Sequence, residues 1–389
     1  MPETSNHEEN KWAALQIKDQ SNEEVAGPGV TYRQDVWRRL KQNKLAISSI
    51  FIIAVILLLS VFGPMLTGKT YNTQELNLRN MPLKINIITA TDGTNFYVHE
   101  ELRLFITNEK GKIIEYIEPV KKELAKKRYV YEVKGSKYTL DFSKDGLRLL
   151  GEDGIQINIT KKVWNKNYIL GTDSLGRDML TRLLYGGRIS LLVAFITSFI
   201  TLIVGVLYGG ISGYYGSNID VVMMRMVEII EAIPNTIYVI LLMVYMGQGV
   251  RNILIAMAIT SWLSMSRLVR GQVLALKEQE FILSAKSIGV SSMKIIVRHL
   301  LPNCIGPIIV SATLSIPSAI ATEAFMSFIG LGVAPPMPSW GILCNEGIGA
   351  IRSYPYQILL PSAAISITMF AFNFLGDGLR DALDPRLRK

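Results

Sequence analysis

Long apolar runs dominate this sequence and limit what it can fold into. The chain has 389 residues, 49% of them hydrophobic, and the apolar residues are clustered rather than evenly spread. An α-helix needs about 20 predominantly apolar residues to cross the hydrocarbon core of a bilayer. Six runs approach or exceed that length: Leu45–Leu66, Ile189–Ile211, Val221–Met246, Ile253–Leu268, Ile305–Ile329 and Ile358–Leu375. The sequence therefore predicts an all-α membrane protein with six transmembrane helices.

The first long connection between these runs, residues 67–166, has a different pattern. Short alternating stretches, such as residues 102–107 and 138–142, are separated by turn-forming residues such as Gly135. Alternation with a period of two is typical of strands with one buried face. We therefore expect a β-rich insert here. It would follow an interfacial segment and first span at 33–66 and precede a five-helix transmembrane core at 167–389.

Positive charge lies beside the apolar runs and predicts their orientation. A net charge of +9 can indicate nucleic-acid binding, but these cations cluster where the positive-inside rule places them, around 33–44, 277–303 and the C-terminus. We expect both termini and the 277–303 loop to be cytoplasmic, with residues 1–32 forming a disordered cytoplasmic tail. Long loops are translocated largely regardless of charge, so the insert is expected to be extracytoplasmic. The expected environment is a lipid bilayer, with no nucleic acid bound.

One long polar stretch, Glu280–Asn303, interrupts the apolar pattern. It predicts a helix, a turn at Gly289 and a second helix that ends near Pro302, because glycine accepts the left-handed conformation that closes a helix. Phe281 and Ala285 are four residues apart and share one helix face. A helix–turn–helix can bind DNA, but apolar runs on both sides tether this one to a membrane surface. Docking into a partner protein and lying on lipid both remain compatible with this pattern.

A second polar segment, Leu170–Leu191, precedes the second apolar run. Arg177, Asp178 and Arg182 give it a charged face, and leucines give it an apolar one. This pattern predicts an interfacial amphipathic helix whose charged face is solvated and salt-bridged.

Several charged or helix-bending residues fall inside the predicted spans. Charges inside a membrane are costly unless they are paired or face water. Arg225 and Glu228 form an obvious pair at i and i+3, which leaves Glu231 without a cation. Glu323, near the outer end of its span, could cap the helix or reach the interface. The candidate pathway residues are Glu228, Glu231, Pro234, Pro317 and Glu323.

Glycines in the second run have a packing pattern. Gly205, Gly209 and Gly213 repeat at four-residue spacing, which lets helix backbones approach closely in lipid. We interpret them as helix-packing positions.

The sequence shows no motif for catalysis, nucleotide binding or metal binding. It contains no GxxxxGK[ST] phosphate-binding loop, so we expect no nucleotide hydrolysis by this chain. Cys304 and Cys344 lack metal-site spacing and are predicted to lie on opposite membrane faces. We identify no catalytic residue, no metal site and no bound cofactor.

Four motifs, in order along the chain, resemble a known family. Glu280, Ser284, Ala285, Gly289 and then Leu300-Leu301-Pro302 resemble the coupling loop of the membrane subunits of ABC importers. LGTD followed by GRD near residue 173, MSFIGLGVAPPMPSWG, and FNFLGDGLRDALDPRLR are similar to the second-type permease subunit of oligopeptide, dipeptide and nickel importers. Two features depart from that family: Ser284 replaces a usual alanine, and the insert is longer than usual.

The resemblance implies roles for the polar stretch. As a coupling loop it would contact a separate ATPase, with the residues Glu280, Phe281, Ser284, Ala285, Lys286, Gly289 and Pro302. The implied fold is the six-helix ABC importer permease type.

The resemblance also implies a function and partners. The chain would form half of the pathway of an ATP-driven importer, with short peptides as substrates and with nickel and glutathione also compatible. The implied partners are a second homologous permease subunit, one or two cytoplasmic ATPase subunits that bind ATP and Mg, and an extracytoplasmic solute-binding protein. The implied location is the bacterial or archaeal cytoplasmic membrane.

Two other classes of function remain open from the residues alone. A stand-alone proton-coupled transporter would use Glu228 or Glu231 as its proton carrier. A membrane-anchored sensor would use the spans only as anchors, but their Gly, Pro and Ser content favours a moving bundle.

Overall fold

A computed structural model describes residues 31–143 and 146–384. The predicted disordered tail lies almost wholly outside the described residues, as do the last five residues of the chain. The described chain consists of a helical bundle and a β domain inserted between its second and third helices.

The helices before the insert follow the sequence prediction closely. Helix α1 (Tyr32–Gln42) is the basic segment, and α2 (Lys44–Thr67) is the first apolar run. Asn43 separates them, and its side chain accepts a hydrogen bond from the Ala46 backbone N–H at 3.1 Å. An uncapped helix N-terminus leaves backbone donors without partners, so this asparagine both ends α1 and starts α2.

Five stretches in the described residues are helical, apolar and long enough to cross a membrane, and a bent pair would make a sixth if it counts as one span. The five are α2, α3 (Met179–Tyr215), the run Val250–Leu276, α11 (Ile305–Phe328) and α13 (Tyr356–Leu383). The run Val250–Leu276 contains α6 (Val250–Thr260) and α7 (Leu263–Leu276).

The predicted span Val221–Met246 is not one continuous helix. It is broken into α4 (Ser217–Glu231) and α5 (Asn235–Met246), which meet at 72°. Pro234 stands at the break as the residue that caps α5. Proline has no backbone N–H and disfavours the helical conformation of the residue before it, so α4 cannot continue through this point.

The glycine-packing interpretation of α3 is confirmed. A Cβ atom at Gly209 would lie 2.2 Å from the backbone oxygen of Ser266 on α7, and one at Gly205 would lie 2.6 Å from Met265 Cβ. At Gly213, it would lie 2.9 Å from the oxygen of Arg270. The backbones of α3 and α7 are therefore in direct contact along three turns.

The predicted interfacial helix at 170–191 is wrong in its first half and in its exposure. Helix α3 begins only at Met179, after turns that Asp178 closes by accepting a hydrogen bond from the Thr181 N–H at 3.1 Å. Arg177 and Arg182 are 5% and 1% exposed rather than solvated. Both bind Asp173, at 2.6 and 2.7 Å, and both bind Glu346 on α12 (Trp340–Gly347). This buried ionic network ties the start of α3 to α12.

The described residues of the insert form ten strands in two antiparallel five-stranded sheets, which confirms the β-rich prediction. The first sheet has the order β10-β1-β2-β3-β4, and the second has the order β5-β6-β7-β8-β9. Their bounds are β1 Lys84–Thr89, β2 Asn95–His99, β3 Arg103–Thr107, β4 Ile113–Ile117, β5 Lys121–Glu123, β6 Arg128–Val133, β7 Ser136–Asp141, β8 Arg148–Leu150, β9 Gln156–Ile157 and β10 Ile159–Trp164. Phe96 and Leu104 of the first sheet pack on Tyr131 and Leu140 of the second.

The insert is fastened to the bundle at the start of α13. The Tyr356 hydroxyl lies 2.9 Å from the Met81 carbonyl oxygen and 2.7 Å from that of Thr172. Gln357 Nε2 donates to Asn80 Oδ1 at 2.9 Å and to the Thr172 carbonyl at 3.2 Å. Because these groups are largely buried, their hydrogen bonds fix the β domain on the helical bundle.

Candidate functional site

The polar stretch forms a helix, a glycine turn and a second helical segment. Helix α8 spans Glu280–Ser287, and Gly289 has φ +80°, the left-handed conformation that the sequence predicts. The N–H groups of Gly289 and Val290 donate to the carbonyls of Lys286 and Ala285 at 3.0 and 3.1 Å. These bonds satisfy the carbonyls that the end of an α-helix leaves free.

The second helical segment is irregular. It comprises α9 (Ser292–Ile295), a π-helical turn at Ile296–Leu300 and α10 (Leu301–Asn303). Pro302 lies in α10, and the helix ends one residue later, as the sequence predicts. Because proline cannot donate to the carbonyl four residues before it, a change of hydrogen-bond pattern at this point is expected.

Helix α8 has one buried face and one exposed face. Ile282 and Ala285 are buried at 0% and 6% exposure, and they pack in the cluster that includes Val273 of α7 and Ile295 of α9. Phe281, predicted to share a face with Ala285, is 44% exposed. An inner face thus attaches α8 to the bundle, and an outer face presents an aromatic side chain to the surroundings.

The other predicted coupling residues are also exposed. Glu280, Ser284 and Lys286 belong to α8, Gly289 to the turn and Pro302 to α10. The Lys286 ammonium also lies 5.3 Å from the ring centroid of Tyr214, at the end of α3. A cation at this distance is attracted to the ring, which links α8 to the long helix.

An ion pair that the sequence did not reveal lies at the same end of the bundle. Asp220 of α4 receives two hydrogen bonds from Arg270 of α7, at 2.5 and 2.6 Å, and one from Ser212 of α3 at 2.5 Å. A two-pronged arginine–carboxylate contact fixes geometry as well as charge. Fifty residues separate the two partners, so no local spacing rule could have found them.

The predicted pathway residues separate into two groups around a cavity. A cavity of about 500 Å³ lies between α3, the α4–α5 bend, the α6–α7 junction and α11. Glu231 and Pro234 line it, whereas Glu228, Pro317 and Glu323 do not. Arg225 pairs with Glu228 at 2.7 Å as predicted. The expectation that Glu231 lacks a cation is wrong, because Arg267 of α7 contacts its carboxylate.

Glu323 is placed differently from the prediction. Instead of reaching the interface, it is 0% exposed. Its carboxyl oxygens accept hydrogen bonds from Ser190 of α3 and from Ser327, both at 2.7 Å. The Trp340 backbone N–H donates to the same Ser190 hydroxyl at 3.2 Å. Glu323 therefore holds α3, α11 and α12 together rather than lining the cavity.

The cavity wall is rich in hydroxyl groups that the sequence analysis did not single out. They belong to Thr197, Thr201, Thr260, Ser261, Ser264, Ser311, Ser315, Ser318 and Thr322. The last four lie four, three and four residues apart on α11, a spacing that places them on one helix face. That spacing is visible in the sequence and is the signal by which this wall could have been found. In the described part of the chain, no three His, Cys, Asp or Glu side chains are grouped to hold a metal ion.

Comparison with known proteins assigns this chain to a family. Residues 203–389 match the model of the binding-protein-dependent transport system inner membrane component, and residues 31–82 match the N-terminal transmembrane domain of oligopeptide transport permease C. The dipeptide transport system permease protein DppC of Bacillus subtilis is 36% identical over 100% of this chain and 97% of its own length. This chain belongs to the oligopeptide and dipeptide transport permease family.

A second relative of this permease has a higher identity over a shorter stretch. The oligopeptide transport system permease protein OppC of Bacillus subtilis is 47% identical over 58% of this chain and 74% of its own length. Among solved structures, the inward-facing MetNI methionine ABC transporter matches at 18% identity with a TM-score of 0.45, over 53% of this chain and 98% of that chain.

These matches also bear on two expectations. The DppC alignment covers all of this permease, insert included, whereas the OppC alignment covers 58% of it, so a long insert occurs in at least one relative. The stand-alone proton-coupled alternative is not supported, because the relatives are permease components of transport systems.

Proposed function

We propose that this permease forms half of the membrane pathway of an ATP-driven importer of short peptides. Its membership of the dipeptide and oligopeptide permease family carries this proposal. The polar cavity supports it, because a polar wall between apolar helices suits a hydrophilic solute that crosses a membrane. Half a pathway needs a second, related permease subunit opposite it.

The energy would come from partner chains. One or two cytoplasmic ATPase subunits would bind ATP and Mg and contact the outer face of α8, through Glu280, Phe281, Ser284 and Lys286. The inner face, Ile282 and Ala285, is packed on the bundle. A rigid connection of this kind would let closure of the ATPase move the attached helices as a body and switch the cavity between the two membrane sides.

The proposed orientation follows from the distribution of Lys and Arg. The protein would span a bacterial or archaeal cytoplasmic membrane, with both termini and the 277–303 loop in the cytoplasm and the insert outside. A cysteine introduced at Lys134 should then react with a membrane-impermeant reagent in intact cells, and one at Lys286 should not. The reverse labelling would contradict this orientation.

The insert is proposed to meet an extracytoplasmic solute-binding protein. Its first and last strands pair directly, Lys84 opposite Trp164, so a short Gly-Ser linker can replace residues 85–163 without separating the flanking chain ends. We expect the shortened permease to assemble with its partners and to need a higher concentration of binding protein for half-maximal uptake. Uptake at the full rate and unchanged concentration dependence would reject a docking role.

Transport measurements with the assembled complex test the proposed function. The permease should co-purify with its second permease and ATPase subunits, and proteoliposomes should take up labelled di- to pentapeptides only with ATP and binding protein. Unlabelled peptides should compete, whereas Ni²⁺ and glutathione should not. Uptake that persists without the ATPase and collapses with a protonophore would overturn the proposal.

A further inference from the structure

An apolar groove of about 590 Å³ lies between α3 and the segment 297–308. The α3 side of the groove is formed by Leu202, Ile203, Val206 and Leu207, and the segment 297–308 adds five more apolar residues. Ile203 and Leu207 remain 43% and 44% exposed, and Val297 of the other wall remains 52% exposed. Because α3 and α11 are both apolar enough to cross a membrane, this groove is open to lipid rather than to water.

A single cation completes the lining of the groove. Arg33 of α1 is the one charged side chain among the described residues that line it. Arg33 is exposed and makes no ion pair within residues 31–143 and 146–384. The acidic residue of the same helix, Asp35, instead binds Arg38 and Arg39 at 2.8 and 3.0 Å. The charge of Arg33 is therefore available to an anion from outside the described chain.

The lining of the groove restricts the class of ligand. Apart from Arg33, every residue of the lining is apolar, so the groove has no hydroxyl, amide or carboxylate side chain to orient a polar solute or to bind a cation. A guanidinium group binds phosphate through two parallel hydrogen bonds, which makes arginine the residue best suited to that anion. A hydrocarbon surface beside one arginine therefore fits an amphiphile that has an acyl chain and an anionic phosphate.

We propose that this groove binds an anionic phospholipid, with an acyl chain along α3 and the phosphate on Arg33. An acyl chain gains little by leaving the surrounding lipid for an apolar groove, because lipid tails are as apolar as leucine. The groove therefore orients the chain, and the charge of Arg33 selects the headgroup. The bound lipid would contact α1, α3 and the end of the polar stretch Glu280–Asn303 at the same time. It would in this way hold α1 next to the helices that follow α8.

The test compares two phospholipids that have the same acyl chains, dioleoyl phosphatidylglycerol (anionic) and dioleoyl phosphatidylcholine (zwitterionic). The full-length permease is purified with its partner subunits in detergent, freed of bound lipid and given an equimolar mixture of the two. Native mass spectrometry measures the ratio of bound phosphatidylglycerol to bound phosphatidylcholine. The total lipid concentration is the lowest at which the wild-type complex holds one lipid per permease. Because the chains are identical, this ratio reports the headgroup contact.

Two pairs of variants separate the charge of the groove from its shape. Arg33→Gln removes the cation of the groove, and its matched control is Arg38→Gln, because Arg38 is an exposed cation of the same helix that does not line the groove. Leu207→Trp fills the groove with a larger side chain. Its control is Leu192→Trp, because Leu192 is 41% exposed on the same helix and also lies outside the groove.

We expect the wild-type complex to prefer phosphatidylglycerol. Arg33→Gln should lower the ratio of phosphatidylglycerol to phosphatidylcholine about fivefold, as expected for the loss of one cation close to an anionic headgroup. Arg38→Gln should change this ratio much less, because its charge lies outside the groove and is shared with Asp35. Leu207→Trp should lower the amount of both lipids that the complex retains, whereas Leu192→Trp should retain as much lipid as the wild type.

Four outcomes would overturn the inference. The wild-type complex binds the two lipids equally, or Arg33→Gln and Arg38→Gln lower the ratio by the same factor, which indicates a general effect of surface charge. Leu207→Trp retains as much lipid as Leu192→Trp, which places the lipid elsewhere. In the last, a preference for phosphatidylglycerol appears only after the second permease subunit or residues 1–30 are removed, which means that protein fills the groove. None of these outcomes bears on peptide uptake, so the proposed function would stand.

Discussion

The close contact between α3 and α7 makes a quantitative prediction for Gly209→Ala. The new Cβ would lie 2.2 Å from the backbone oxygen of Ser266, where ordinary contact begins at 3.4 Å. The two backbones would therefore have to separate by about 1.2 Å at this point, since a backbone carbonyl cannot rotate away as a flexible side chain can. Gly205 and Gly213 hold the same two helices together one turn on either side, so the strain would spread along the contact.

The net change in the free energy of unfolding is the difference between the cost of overpacking and the gain in helix propensity. Overpacking of a well-packed contact costs about 1–3 kcal/mol, and a clash with backbone falls at the upper end of that range. Alanine is favoured over glycine in a helix by about 1 kcal/mol. We therefore expect Gly209→Ala to lower the free energy of unfolding by about 2 kcal/mol.

The adjacent glycine provides a control for this prediction. A Cβ at Gly210 would meet Ile296 Cγ2 at 3.4 Å and Leu301 Cδ2 at 3.8 Å, which are ordinary contacts. Gly210→Ala should be neutral or slightly stabilising, so the two variants should differ by about 3 kcal/mol. In thermal melts of the purified protein, Gly209→Ala should lose its structure roughly 5 °C or more below Gly210→Ala. Equal melting temperatures would refute the view that α3 and α7 are in backbone contact.

Three further predictions concern the glycine turn and the insert. Gly289→Val should abolish most ATP-driven uptake yet insert normally. An added Cβ there meets nothing within 4 Å, so the cost of the substitution comes from the left-handed backbone conformation, about 1–2 kcal/mol and more for a β-branched residue. Gly289→Asn should therefore have a milder effect. Normal uptake with normal ATPase recovery in the valine variant would reject a coupling role. Tyr356→Phe should loosen the insert by about 0.5–1.5 kcal/mol, seen as faster hydrogen exchange at its base, because the Met81 and Thr172 carbonyls each keep only one of their two donors. Tyr354→Phe, whose hydroxyl is 3.5 Å from its acceptor, should match the wild type. Burial lowers the pKa of His99 to about 4, so between that value and its ordinary pKa near 6.5 the unfolded insert binds a proton that the folded one does not. The insert should therefore lose stability as pH falls through this window, by at most about 1.4 kcal/mol per pH unit. If His99→Gln leaves the dependence of stability on pH unchanged, His99 is not the group responsible.

Local signals in the sequence located most elements of the fold. Apolar length identified α2, α3, the run Val250–Leu276, α11 and α13, and two-residue alternation identified the strands of the insert. The turn at Gly289 was predicted because its conformation depends on the residue itself: glycine lacks the Cβ that makes a positive φ costly. The four-residue spacing of Gly205 to Gly213 correctly predicted a close helix contact. This prediction also depends on the residues themselves, since a missing side chain permits close approach whatever the neighbour is.

The candidate site was predicted less completely. The sequence grouped Phe281 with Ala285 on one face of the proposed coupling helix, because Phe281 and Ile282 are both apolar and only the position of α7 and α9 decides which of them is covered. Glu231 was chosen because no cation lies near it in its own helix. Arg267 is 36 positions further along the chain and reaches it only because α4 bends at Pro234 and α7 returns alongside.

The sequence by itself determined which segments are long and apolar enough to cross a membrane, that strands follow the first of them, and that Gly289 turns the polar stretch Glu280–Asn303. Each of these depends on the composition or conformation of a few neighbouring residues. Tertiary structure alone decided that Arg182 is buried against Glu346, 164 positions away, and that Glu323 is enclosed by serines of α3 and α11. It also decided that Thr197 is buried and that its Oγ1 has no hydrogen-bond partner among the described residues. The physical reason is that a buried polar group is defined by what lies opposite it, and the opposite wall comes from a distant part of the chain.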